Sequence, residues 1–114
     1  MNTKKTFSQR NRERCESSNG FSHQLSDWSL SDWGVALAGE CGEMCNVIKK
    51  LNRYRDGIAG NKKSKEQLME DLKQEIGDIA VYLDLLAQAI GCDLEVLREE
   101  VLQKKSAEIG YKEE

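Results

Sequence analysis

The 114-residue chain has no proline, a single histidine and an aromatic content of only 6%. Without proline nothing in the sequence forces a helix to break, and the nine glycines fall largely at segment edges. The pattern is one of helices punctuated by glycine rather than of strands, so an all-α fold is expected. The lone His23 excludes the paired Glu-x-x-His motifs of di-iron helical bundles. The four cysteines, at 15, 41, 45 and 92, form no CxxC pair. Reduced, mostly buried thiols are expected; Cys41 and Cys45 lie one turn apart, but the histidine is remote and a zinc site is not expected. Long apolar runs are missing too. The strongest, from Ile79 to Leu83, is closed by Asp84, far short of the roughly 20 residues a membrane span needs. The opening residues pass straight into polar Ser8 to Arg12 without the apolar stretch of a secretory signal, so the expected compartment is the cytoplasm. No excess of positive charge is present, since 17 basic side chains face 20 acidic ones for a net charge of −3. A stable nucleic-acid partner, which would require neutralising a run of phosphates, is therefore not expected, whereas a small anionic ligand is allowed. The length suits one domain over residues 1–114, short for a self-sufficient enzyme, so a site shared between subunits is expected.

What is present is a succession of amphipathic segments. A first, basic helix is predicted from about Thr3 to Ser18, ending at the breaker Ser17-Ser18-Asn19-Gly20; Phe21 to Trp28 is left unassigned. Ser29-Leu30-Ser31-Asp32 resembles a capping box and opens a second helix reaching about Tyr54, before Asp56-Gly57. After a loop over Arg55 to Lys63, Ser64 with Gln67 caps a third helix that stops at Gly91. Asp93 caps a fourth, from Leu94 to about Ile109, followed by a polar tail from Tyr111 to Glu114.

The two long helices share an anomaly. Trp33, Leu37, Glu40, Met44, Val47 and Leu51 follow the alternating four-and-three spacing of a core-facing stripe, and so do Leu68, Leu72, Glu75, Ile79, Tyr82 and Leu86. In both stripes the third member is a carboxylate, and each is followed three residues on by another acid, Glu43 and Asp78. Converging inward carboxylates repel one another and are costly to bury, so they must take up protons or gather cations. A hard divalent cation such as magnesium, which binds oxygen ligands and is commonly shared with substrate phosphates, resolves the conflict. The plainer alternative leaves all four acids on solvated faces, paired with Lys49, Lys50 or Lys73.

The segment DWGVALAGECGE, from Asp32 to Glu43, and the segment QEIGDIAVYLD, from Gln74 to Asp84, resemble the all-α nucleoside triphosphate pyrophosphatases of the MazG-like superfamily. The resemblance runs from about Trp28 to Tyr111. It implies a bundle of about four helices assembled as a dimer or tetramer, and a magnesium-dependent enzyme that hydrolyses nucleoside triphosphates, deoxynucleotides included, to monophosphate and pyrophosphate. Such an activity serves nucleotide-pool house-cleaning. By position, Glu40, Glu43, Glu75 and Asp78 match the family's metal-binding and catalytic acids. In the implied mechanism metal ions bridge the triphosphate and activate a water for attack at the α-phosphorus. One of the acids or an outer neighbour acts as general base, and the sequence does not choose among them.

Several further residues are candidates for holding the nucleotide. Lys49, Lys50, Arg53, Lys62 and Lys63 lie near the loop, whose closing would suit substrate access; Lys49 and Arg53 are the preferred phosphate contacts. Trp28 and Trp33 stand just before the acidic block, where similar enzymes place an aromatic side chain against the base. Trp33 belongs to the apolar stripe and is expected in the core, which makes Trp28 the better base contact, with Phe21 and His23 behind it. In the fourth helix Val101-Leu102-Gln103 stands where close relatives tend to carry Lys-Phe-Asn. Gln103 is expected to replace the asparagine amide, and Ser106, Gly110 and Tyr111 still match. Apolar side chains outside the stripes, among them Val35, Ala36, Ala38, Ile48, Ile76, Ala80, Val81, Leu83 and Leu85, give self-association a motive. Two other readings stay open: a phosphoribosyl-nucleotide pyrophosphohydrolase on the same fold, and a non-catalytic helical module whose acids bind metal or nucleotide or guide assembly.

Overall fold

The computed structural model describes residues 4–114. Among them are four α-helices and one short 3-10 turn, with no strand: α1 (Phe7–Glu16), the turn (Leu25–Asp27), α2 (Leu30–Asp56), α3 (Lys65–Ala89) and α4 (Leu94–Glu108). None is long and apolar enough to cross a membrane.

Local chemistry sets the boundaries. Ser29 and Asp32 form the expected reciprocal capping box at the start of α2. At the other end Gly57 turns left-handed at φ 68° and Ile58 N–H returns to Arg53 O. Ser64 and Gln67 exchange the same pair of bonds ahead of α3, at 2.9 and 3.1 Å, and Asp93 accepts from Glu95 N–H to open α4. The first helix is shorter than the Thr3 to Ser18 span expected from sequence. Thr3 lies outside the described residues, and Thr6 with Gln9 makes a capping box that starts the helix at Phe7. It stops at Glu16 because Phe21 and His23 bring their N–H groups back to the carbonyls of Arg14 and Cys15. The stretch left unassigned, Phe21 to Trp28, contains the 3-10 turn.

The chain divides into two compact units. One comprises residues up to Asp27 together with Asp84–Glu114. Its buried apolar residues are Cys15, Leu25, Leu85 and Ala87. Among them sits a carboxylate: Asp84, 1% exposed, accepts hydrogen bonds from Ser8 Oγ at 2.5 Å, Asn11 Nδ2 at 3.0 Å and Gln88 Nε2 at 3.0 Å. Gln88 Nε2 also reaches Ser8 O, so one polar cluster fastens α1 to the end of α3. The turn after α1 is equally tight; a Cβ on Gly20 would lie 2.0 Å from Arg14 O, which no other residue tolerates.

The second unit, Trp28–Leu83, is a helical hairpin of α2 and most of α3. Both stripes behave as core faces. Trp33, Val47 and Leu68 are buried, and Leu37, Met44, Leu51, Leu72, Ile79 and Tyr82 are half-buried. The connecting loop is tied back to α2 by Asn61 Nδ2 to Lys50 O at 2.8 Å and by Tyr54 Oη to Lys63 O; Lys63 Nζ meets Asp71 of α3 at 2.7 Å.

Two expectations need correction. Thiols expected to be mostly buried are mixed: all four are free, but only Cys15 is buried, while Cys41 and Cys92 are half-buried and Cys45 is exposed. Leu85, expected as surplus apolar surface, is 7% exposed and belongs to the core, because the helix turns that position inward beside Asp84.

Candidate metal centre

The second unit brings the acids of the two stripes together. Helical geometry places Glu40 and Glu43 on adjacent turns of α2, and Glu75 and Asp78 on adjacent turns of α3. Carboxylate oxygens of Glu40, Glu43 and Glu75 lie within 4.8 Å of one another. Glu40 and Glu75 are half-buried and Glu43 is exposed, so the cluster opens to solvent on one side. Asp78 does not contribute an oxygen to this group of three, although its charge bears on Glu40 and Glu75. Of the four acids expected to converge, three lie in mutual reach and the fourth, Asp78, is half-buried on the next turn of α3.

Electrostatics set this trio apart from an ordinary solvated face. None of the four acids makes an ion pair among the described residues. Lys73, one of the partners the plainer alternative supplied, is engaged with Glu70 at 3.0 Å. Lack of water raises the Glu40 carboxyl above the usual range, and the charges of Glu43, Asp78 and Glu75 push it the same way. Glu75 is raised for the same leading reason, with Glu43 and Asp78 adding repulsion. Its Oε2 is buried and has no hydrogen-bond donor. Buried acceptors are ordinarily satisfied, so a buried carboxylate oxygen without a donor, on a residue that shares a cluster with two other carboxylates, is an arrangement suited to a cation.

The expected nucleotide contacts lie on both units. Lys49 is exposed and Arg53 half-buried, both on α2 beyond the acids. Trp33 is buried at 2% exposure, as its place on the stripe requires, and Trp28 meets it edge-on with centroids 4.8 Å apart. Trp28 is half-buried. Gln103 stands on α4 in the other unit, exposed, with its amide donated to Glu99 at 3.0 Å. Sequence reasoning gave no role to Asp84. The available signal was a carboxylate inside the apolar run Ile79 to Leu86, but its partners Ser8 and Asn11 lie 76 and 73 residues away in sequence, beyond any local pattern.

No protein-family model matches the chain, and no solved structure does. The chain is similar to the Gene 37 protein of Mycobacterium phage L5, with 32% identity over 75 residues. That alignment takes in 66% of this chain but 61% of the phage protein, less than two thirds of the relative's length.

Proposed function

We propose that the chain is a MazG-like nucleoside triphosphate pyrophosphohydrolase that uses magnesium to split nucleoside triphosphates, deoxynucleotides among them, into monophosphate and pyrophosphate. The observation that carries this reading is the convergence of Glu40, Glu43 and Glu75 within 4.8 Å without a basic partner. The site's donor set fits the metal: all oxygen, negatively charged, open on one side, with Glu75 Oε2 awaiting a partner. When bound, magnesium supplies charge neutralisation for the phosphates and acidifies a water. In this proposal Glu40, Glu43 and Glu75 hold the ion, and Asp78, one turn along α3, completes the negative field. Lys49 and Arg53 attract the outer phosphates. Trp28 offers the base a flat surface and Trp33 supports it from the core. Homodimers or homotetramers are the proposed assembly.

The test is a product assay. Purified protein with magnesium and a panel of nucleoside triphosphates should release pyrophosphate, not orthophosphate. Glu40→Gln and Glu75→Gln should each lower turnover by about a hundredfold or more, the scale for losing one preorganised electrostatic group. Turnover unchanged in both variants rejects the site; orthophosphate as the product rejects the reaction.

A further inference from the structure

Both phenylalanines of the chain face solvent. Phe7 is 51% exposed and Phe21 69% exposed, although a phenyl ring is among the side chains most stabilised by burial. They belong to one surface. Phe7, Arg10 and Arg14 recur at three- and four-residue spacing, so they share a face of α1, with Phe7 and Arg14 about 10 Å apart along the axis. The Arg14 guanidinium lies 5.4 Å from the centroid of the Phe21 ring. Phe21 is fixed there by a constrained turn. Its N–H donates to Arg14 O at 2.9 Å, Ser22 holds a left-handed φ of 51°, and Gly20 passes Arg14 O where no Cβ fits. Such strain is worth keeping where it serves a purpose, and here it holds an apolar ring outward. The neighbouring cations Lys5 and Arg12 are paired with Glu13 and Glu16. Arg10 and Arg14 pair with no acid among the described residues.

We propose that this face binds a short stretch of single-stranded nucleic acid. Ring, guanidinium, guanidinium, ring is the order in which a flexible strand offers base, phosphate, phosphate, base; rings stack on unpaired bases and guanidiniums meet the backbone. A protein partner fits less well, because the two rings are separated along the face by guanidiniums without an acidic partner, one of them lying over Phe21, instead of forming one apolar patch. A duplex fits less well still, since its bases are stacked on each other. Two phosphate contacts give weak, salt-sensitive binding, which agrees with a net charge of −3 that opposes tight, extended association.

The experiment is fluorescence anisotropy of a dye-labelled oligothymidylate of about eight nucleotides with the full chain, in chelator so that the acidic centre is silent. The expected slope of log K against log salt is about −1.4. Phe7→Ala and Phe21→Ala should each weaken binding about fivefold or more, and Phe21→Tyr should preserve it. Arg10→Gln with Arg14→Gln should flatten the salt dependence. Circular dichroism checks that each variant folds; the substituted side chains are exposed. Failure to bind, affinity unchanged in the ring variants, or a duplex or thymidine monophosphate competing as well as the strand overturns the proposal. So does an effect of the ring substitutions on sedimentation alone, which would assign the face to a second copy of the chain.

Discussion

Single side chains carry the sharpest consequences. Glu40 and Glu75 have carboxyls raised by lack of water and by neighbouring negative charge, so the folded state holds their protons more tightly than the unfolded chain does. The sign follows: the metal-free protein should lose stability as pH rises from the usual carboxylate range through the raised values, and regain it with divalent cation. Thermal melts between mildly acidic and neutral pH measure this, and Glu75→Gln should flatten the profile. A metal-free protein that instead becomes more stable along that path contradicts the assignment. Asp84 makes the opposite kind of prediction. Truncation to alanine strands Ser8, Asn11 and Gln88 donors in a buried pocket and should cost about 2 to 4 kcal/mol, read by urea denaturation.

At the scale of the element, stability is local and readable. Ser29→Ala removes the side-chain acceptor that begins α2 and should lower stability by about 1 kcal/mol in the same denaturation measurement. Helix order, caps and core stripes were legible because each depends on residues within a few positions of one another: Ser29 with Asp32, Ser64 with Gln67, Trp33 through Leu51 at helical spacing. The acidic centre was legible for a related reason, as a carboxylate in the third place of each stripe breaks a rule that leucine would satisfy. Asp78 shows where such reading stops. Spacing put it on the right helix, but whether its oxygens reach the other three depends on how two helices pack, which no single-helix pattern contains. The Asp84 cluster was hidden for the same reason, since α1 and the end of α3 meet only in the fold.

For the molecule as a whole, surface apolarity is the salient property. Val35 is 70% exposed and Ile76 55%, with Ile48 and Leu83 less so at 37% and 38%. Alanines 38 and 80 are exposed beside them, whereas Ala36 and Val81 are half-buried within the chain. Isolated exposed hydrophobics are ordinary, but several on two adjoining helices favour a partner surface. Sedimentation at micromolar concentration should therefore report a dimer or larger species, with Val35→Glu shifting it toward monomer. A monomer in both proteins removes the argument for self-association.

The loop expected over Arg55 to Lys63 was one whose closing would suit substrate access. Its backbone is tied to α2 at two points, by Asn61 on the carbonyl of Lys50 and by the Tyr54 hydroxyl on the carbonyl of Lys63. Two such tethers act as doorposts, holding the chain on either side of Lys62 close to the helix. Trypsin, faced with Lys62 and Lys63, should cut there slowly in the native protein and quickly once Tyr54 is replaced by phenylalanine.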